Sequence, residues 1–167
     1  MIFRITSILL FALLLRNTAC AQSTSNIVIS VSATLISDTP IVLTTLNNMT
    51  VSGAASENQE LYISPITSPN AGLLLAKGRP GSQARMTYVV SEVLNESKGA
   101  GSISIQYEMS GNNQRIQRSS ILIDTGEALL DFDSEGQYFL WVGGHINLSK
   151  AVTGKYNGQF TIQIEYI

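Results

Sequence analysis

Residues 159–166 near the end of the chain, QFTIQIEY, decide the fold class. Large apolar residues take every second position, and polar residues take the positions between them. Because successive side chains of a β-strand point to opposite faces, this alternation predicts a strand with one buried and one solvated face. We expect the buried set to be Phe160, Ile162, Ile164 and Tyr166.

The same period of two recurs in most of the chain. The clearest apolar sets are Ile27, Ile29, Val31, Ala33 and Leu35; Met86, Tyr88 and Val90; Ile103, Ile105, Tyr107 and Met109; and Phe139, Trp141 and Gly143. Turn-forming clusters separate them, and short strands between frequent turns are typical of an antiparallel sandwich. Helical signals are confined to residues 92–98 and 124–130, each long enough for one short helical turn. We therefore predict one all-β domain, an antiparallel β-sandwich, over residues 22–167.

Composition excludes several classes of protein. The chain has 167 residues, the length of one domain, and its 44% hydrophobic and 13% charged residues exclude intrinsic disorder. A formal net charge of −2 argues against a nucleic-acid partner bound through basic patches. One cysteine and one histidine leave little for thiol catalysis, a zinc site or a catalytic triad. We expect no cofactor and no enzymatic activity.

Residues 1–21 are typical of a secretory signal peptide. Arg4 supplies a positive charge, residues 8–15 are an unbroken apolar run, and Ala19 and Ala21 place small residues at the cleavage site. The apolar run is too short for a transmembrane helix, which needs about 20 residues. We therefore predict export to the periplasm, the cell surface or the medium, with no transmembrane segment in the mature chain.

Cys20 leaves a second interpretation of this leader open. A cysteine near the cleavage site is the attachment point of lipoproteins, but Arg16 and Asn17 interrupt the usual approach to it. Cleavage after Ala21 fits better, and the mature protein would then begin at Gln22 and contain no cysteine. A disulfide would be absent despite the oxidising location.

His145 is the sole histidine and follows the double glycine at residues 143–144. A catalytic base needs an orienting partner and a nucleophile within hydrogen-bond reach, and the chain has no Gly-x-Ser-x-Gly elbow. We predict an edge or turn histidine that precedes a strand at residues 146–148. Trp141 occupies an alternating strand position, which favours core packing over a carbohydrate-stacking platform.

Residues 131–136, DFDSEG, match the first half of a calcium-binding loop. Such a loop needs a bidentate glutamate at its twelfth position, where this chain has Val142. We therefore predict no metal site here. Asp131, Asp133 and Glu135 are expected to be turn carboxylates that can be replaced with little loss of stability.

The last third of the chain carries a recognisable pattern. Residues 138–148 read as strand, double glycine and strand, and residues 154–160 read Gly-x-Tyr-x-Gly-x-Phe before the terminal strand. With the Gly-x-Pro-Gly turn at residues 78–81, this resembles the bacterial family called domain of unknown function 4402. The resemblance implies an exported all-β protein of the envelope or surface, similar to pilin and adhesin sandwiches, and supplies no catalytic residues.

A second likeness concerns the end of the chain. Gly154 is fourteenth from the end and Tyr166 is penultimate, which resembles the spacing in chaperone–usher pilins. In those proteins the last strand pairs with a strand of a partner. The resemblance implies a possible assembly strand that includes Gly154, Phe160, Ile162, Ile164 and Tyr166. The residues alone leave open that this strand alternates for core packing only.

The sequence thus predicts a non-enzymatic, exported structural or adhesin-like β-sandwich of the bacterial envelope, immunoglobulin- or pilin-like, that assembles by strand pairing. Its expected partners are further copies of itself or another envelope protein. The alternative is a monomeric secreted binding module for a glycan or a surface protein. An enzyme is the third hypothesis, for which the residues offer neither a nucleophile nor a base.

Overall fold

A computed structural model describes residues 24–35, 41–54, 60–99, 101–123 and 126–167, with side chains from residue 41 onward except 52–54. The predicted signal peptide at residues 1–21, Cys20 and the expected start at Gln22 lie outside the described residues. Within the described ranges, no helix has the length and apolar character needed to cross a membrane.

The described residues form β-strands with one short 3₁₀ helix at Gln117–Ser119 and no α-helix. The strands are β1 (Thr24–Leu35), β2 (Val42–Asn47), β3 (Met49–Ala54), β4 (Glu60–Ile63), β5 (Gly72–Lys77), β6 (Gln83–Tyr88), β7 (Ser91–Asn95), β8 (Ser102–Asn112), β9 (Ile121–Ile123), β10 (Glu127–Asp131), β11 (Gln137–Asn147) and β12 (Lys155–Tyr166). The expected helical turns are wrong, because their segments contain β7 and β10. There Leu94 and Leu130 are buried between exposed neighbours, with the period of a strand.

Two sheets make up the fold. One has five strands in the order β10-β6-β12-β1-β3. The other has seven: β2-β5-β11-β8-β7 form a path, β4 pairs with β11, and β9 pairs with β8. Neighbouring strands run antiparallel except β1 and β12, which run parallel. The prediction of an all-β sandwich is confirmed.

The core lies between the two sheets and is built from the alternating apolar sets. The seven-stranded sheet contributes the predicted set on β8, whose members are at most 3% exposed: Ile103, Ile105, Tyr107 and Met109. The five-stranded sheet contributes Phe160, Ile162 and Ile164 of β12, at most 1% exposed. The rings of Tyr107 and Phe160 meet with centroids 4.5 Å apart. Each such side chain stabilises the fold by about 1.5–3 kcal/mol.

Strand β11 is buried on both faces, which its sequence did not predict. Leu140 and Val142 face the main core, whereas Phe139 and Trp141 form a second apolar cluster with Leu73 on the outer face. Trp141 is buried, but it packs in this outer cluster and not in the core between the sheets, where it was predicted. Because β5 and β4 pair successively with one edge of β11 and β8 pairs with the other, β11 is the centre of its sheet.

The double glycine lies inside β11 and allows another segment to cross it. A side chain at Gly143 would collide with the Ile63 carbonyl oxygen, and one at Gly144 with the Gln106 carbonyl oxygen. Gly144 also has a positive φ of 145°, which favours glycine. The strand therefore continues without interruption, and the prediction that His145 precedes a separate strand is wrong.

Candidate functional site

The glycines of the Gly-x-Tyr-x-Gly-x-Phe pattern make room for strand β7 and the residue after it. A Cβ atom at Gly158 would collide with the Leu94 side chain, and one at Gly154 with the side chain of Glu96. Glu96 is 7% exposed, and its carboxylate accepts a hydrogen bond from the Lys98 backbone N–H at 2.7 Å. These glycines therefore let two segments approach closely.

Tyr156, between those glycines, fixes the turn that leads into β12. Its side chain is fully buried. The hydroxyl donates to the Val152 carbonyl oxygen at 2.9 Å and accepts from the Val152 N–H at 2.8 Å. One phenol oxygen thus satisfies both backbone groups of a turn residue, which is a structural role.

The possible assembly strand is an interior strand of its sheet. One edge of β12 pairs with β1 over Lys155–Ile164, and the other pairs with β6 over Ile162–Tyr166. The apolar set expected on it is buried, except for Tyr166, which is partly exposed. Along these paired stretches both edges of β12 are occupied, so a strand from a partner could pair there only by replacing β1 or β6.

The Gly-x-Pro-Gly turn meets the acidic turn at one end of the sandwich. The Gly78 N–H donates to the Gly136 carbonyl oxygen at 2.8 Å. The Tyr166 hydroxyl accepts from the Arg79 backbone N–H at 2.6 Å. Gly136 has a positive φ of 73°, and a side chain there would collide with the Gly78 carbonyl oxygen. These pattern residues pack against one another.

The hydrogen bonds of Asp133 argue against the prediction that this carboxylate is dispensable. Its Oδ1 accepts backbone N–H groups of Glu135 at 2.9 Å and Gln137 at 2.7 Å, which closes the turn. Asp131 accepts from the Gln83 amide at 2.7 Å. Among the side chains that the structure describes, no three or more His, Cys, Asp and Glu residues are grouped to hold a metal ion.

The strongest candidate for binding lies on the outer face of the seven-stranded sheet. We call Tyr62, Glu108 and His145 the Tyr62 cluster. The rings of Tyr62 on β4 and His145 on β11 stack with centroids 4.4 Å apart and an interplanar angle of 27°. Glu108 on β8 accepts the Tyr62 hydroxyl at 2.9 Å and lies 3.4 Å from His145 Nε2. The carboxylate therefore orients both rings.

Electrostatics keep the Tyr62 hydroxyl protonated. Burial raises the pKa of Tyr62, and the hydrogen bond to Glu108 and the negative charge of that carboxylate raise it further. A protonated phenol can donate to Glu108 across the physiological range, because its unperturbed pKa is already about 10. The cluster is thus a rigid aromatic pair rather than a reactive phenolate.

A shallow cleft begins at His145 of this cluster, and a second cleft adjoins the first. The first has a volume of about 290 Å³ and is lined by Glu60, Ser91, Ser104, Ile105, Gln106, His145, Ile146 and Asn147. The second, of about 240 Å³, is lined by Val93, Ser102, Ile103, Ser104, Asn147, Ser149 and Lys150. Because the two share Ser104 and Asn147, they form one elongated surface.

Sequence reasoning found His145 but missed its two partners. Tyr62 and Glu108 are 46 positions apart, and only the pairing of β4 and β8 with β11 brings them to one face. Outward positions of adjacent strands are the relevant signal, but strand pairing and register would have to be known first.

Comparison with known proteins adds no family assignment. No family model matches the chain, and no curated protein is significantly similar to it. The resemblance to domain of unknown function 4402 stays a prediction, based on the residues quoted above.

Proposed function

We propose that this chain is a non-enzymatic, exported structural or adhesin-like β-sandwich of the bacterial envelope or surface that assembles by exchanging strand β1 between copies. The observation that supports assembly is the pairing of β1. This strand runs parallel to β12 over ten register positions, from Asn26 opposite Lys155 to Leu35 opposite Ile164. Its other edge pairs antiparallel with β3 from Thr24 to Ile29.

Strand β1 therefore fills a gap between two strands that would otherwise expose their backbone groups. Backbone hydrogen bonds of a sheet depend little on which chain supplies the strand, so β1 of a second copy can make the same pairs. Exchange of an identical element is a low-cost route to an assembly. On this proposal β12 remains the assembly strand, and it accepts β1 of a second copy in place of its own β1.

The packing of the pattern residues supports a structural role. Gly154 and Gly158 allow close approach of segments, and Tyr156 fixes a turn. The residues behind the family resemblance thus act within the fold, which fits a protein that works by shape and assembly rather than by chemistry.

Engineered cysteines test the exchange directly. In a chain with Cys20→Ser, which removes the sole native cysteine, one copy carries Ser30→Cys and a co-expressed copy carries Gln159→Cys. These positions are register partners, so exchange brings their Cα atoms within the range that a disulfide spans. We expect a disulfide-linked dimer on a non-reducing gel.

The matched control replaces Gln159→Cys with Gln163→Cys, whose register partner is Thr34. Four strand positions shift it by about 13 Å from Ser30, too far for a disulfide. A single chain that carries both Ser30→Cys and Gln159→Cys provides the comparison. If its disulfide forms only within the monomer, and no disulfide forms between co-expressed copies, the exchange is contradicted. This result would favour the monomeric binding module.

Export has a separate test, which depends on the leader alone. Intact-mass measurement of protein recovered from the envelope is expected to show a chain that begins at Gln22. A lipid-modified chain that begins at Cys20 would contradict cleavage after Ala21 and make this a membrane-anchored lipoprotein.

A further inference from the structure

The outer face beside the Tyr62 cluster is a regular grid of side chains. Strands β4, β11, β8 and β7 are in register here and place outward residues in two adjoining rows. The first row holds Tyr62, His145, Gln106 and Ser91, and the second holds Glu60, Asn147, Ser104 and Val93. Cross-strand neighbours in such rows are about 5 Å apart. We call these eight residues the polar grid.

The polar grid offers hydrogen-bonding groups of both kinds. Gln106 and Asn147 carry amides that both donate and accept, and Ser91 and Ser104 carry hydroxyls that do the same. The Asn147 Oδ1 accepts the Ser149 N–H at 2.9 Å, which fixes the orientation of that amide. Sugar hydroxyls also donate and accept at once, so closely spaced amides and hydroxyls match them.

Tyr62 adds a rigid aromatic surface at one side of the grid. Its ring is held by stacking on His145 and by the hydroxyl bond to Glu108, yet Tyr62 remains 51% exposed. Because His145 covers one face of the ring, the opposite face is the one available to a ligand. A held aromatic ring costs little conformational entropy on binding, and its apolar face suits the C–H face of a pyranose.

Charge and shape narrow the ligand further. Glu108 binds the hydroxyl of the ring and Glu60 lines the adjoining cleft, so an anionic sugar would be repelled at this end of the surface. Lys150, the one cation among the lining residues, lies at the far end of the second cleft. The two adjoining clefts are shallow and elongated, which suits several linked units more than one enclosed unit.

We infer that the polar grid, with Tyr62 as its aromatic member, forms a binding surface for a neutral oligosaccharide. Tyr62 stacks on one pyranose ring through the face that His145 leaves open. Gln106, which lies on the far side of His145, and Asn147 bind hydroxyls of further units of the same oligosaccharide. This inference rests on the adhesin-like part of the proposed function and names its ligand class. It does not depend on exchange of β1, since all eight residues lie on the other sheet.

Isothermal titration calorimetry tests the surface with soluble tetrasaccharides of glucose, galactose, mannose and N-acetylglucosamine, and with tetragalacturonate as an acidic comparator. We expect at least one neutral tetrasaccharide to bind and the acidic one to bind more weakly. Tyr62→Ala should weaken binding about tenfold or more, whereas Tyr62→Phe keeps the ring and should stay within about threefold. Gln106→Ala should also weaken binding, and circular dichroism melts check that each variant folds.

The matched control lies on the five-stranded sheet. A polar cleft of about 240 Å³ there is lined by Arg85, Thr87, Glu127, Gln163 and Glu165, none of them aromatic. Gln163→Ala should leave oligosaccharide binding unchanged.

Three results would overturn the inference: no binding of any neutral tetrasaccharide at millimolar concentration, preference for tetragalacturonate, or binding that Tyr62→Ala and Gln106→Ala leave intact. Failure here is distinguishable from failure of the proposed assembly. If a disulfide forms between copies but no oligosaccharide binds, only the proposed binding surface is refuted. If an oligosaccharide binds but no such disulfide forms, only the exchange of β1 is refuted.

Discussion

Tyr156→Phe removes a single oxygen atom and tests whether the Gly-x-Tyr-x-Gly-x-Phe pattern serves folding. The lost hydroxyl donates to the Val152 carbonyl oxygen at 2.9 Å and accepts from the Val152 N–H at 2.8 Å. The ring itself is fully buried and keeps its packing in the variant. The change therefore isolates two hydrogen bonds to one turn residue.

The expected loss of stability follows from those two bonds. A hydrogen bond contributes about 1 kcal/mol net, and a buried group left without a partner costs about 1–3 kcal/mol. Val152 is 37% exposed, so water can reach part of its backbone and the loss stays below the upper limit. We expect Tyr156→Phe to lower the free energy of unfolding by about 1.5–3 kcal/mol, equivalent to about 4–10 °C in Tm for a domain of this size.

Urea and thermal unfolding, followed by circular dichroism, measure the loss. Ser97→Ala is the control, because the Ser97 hydroxyl donates to the Lys155 carbonyl oxygen at 2.9 Å next to the same turn but is exposed. We expect the control to change stability by less than about 0.5 kcal/mol. If Tyr156→Phe proves no more destabilising than Ser97→Ala, the structural reading of the pattern is refuted.

Three further predictions concern other parts of the fold. Ile164→Asp places an unpaired charge in the core and should leave little folded protein. Gln163→Asp lies on the exposed face of the same strand and should change the free energy of unfolding little. A circular dichroism spectrum of normally folded Ile164→Asp protein would refute the burial of this strand. Asp133→Ala removes the acceptor of two backbone N–H groups, one exposed and one partly buried, and should lower the free energy of unfolding in urea by about 1–2 kcal/mol. An unchanged free energy of unfolding would show that this turn carboxylate is dispensable. Burial, together with its hydrogen bond to a carboxylate, raises the pKa of Tyr107 above its usual 10.0, so the folded state keeps a proton that the unfolded state loses above pH 10. The free energy of unfolding should therefore fall as the pH rises above about 10, and it should fall less steeply in Tyr107→Phe than in the unmodified protein. Equal slopes of the free energy of unfolding against pH for these two proteins would contradict this prediction.

Individual strands and their buried faces were predictable, because the alternation of apolar and polar residues is visible in consecutive positions of the sequence. Ile103 and Ile105 on β8 and Ile162 and Ile164 on β12 are buried as their period requires. The same rule failed on β11, where Leu140 lies in the main core and its neighbours pack on the other face. A strand buried on both faces loses its alternation, so its sequence reads as an apolar run.

The candidate binding surface was not predictable, because it depends on which strands are neighbours. Glu108 and Tyr62 meet only through β11, and neither position is unusual in its own strand. The prediction of a helical turn at residues 92–98 was wrong for a related reason. Leu94 and Glu96 pack against Gly158 and Gly154, so tertiary contacts favour a strand over the weak local preference.

The parallel pairing of β1 with β12 also determines the order in which the two sheets can form as the chain becomes available from its N-terminus onward. The strands of the seven-stranded sheet, β2, β4, β5, β7, β8, β9 and β11, are all available once the chain has emerged as far as Asn147. The five-stranded sheet must wait, because β6 and β1 have β12 as their common neighbour and β12 is translated after them. Contacts between segments so far apart in the chain form slowly. Until β12 emerges, β1 has an unpaired edge, and this is the interval in which a neighbouring copy would capture it under the proposed exchange.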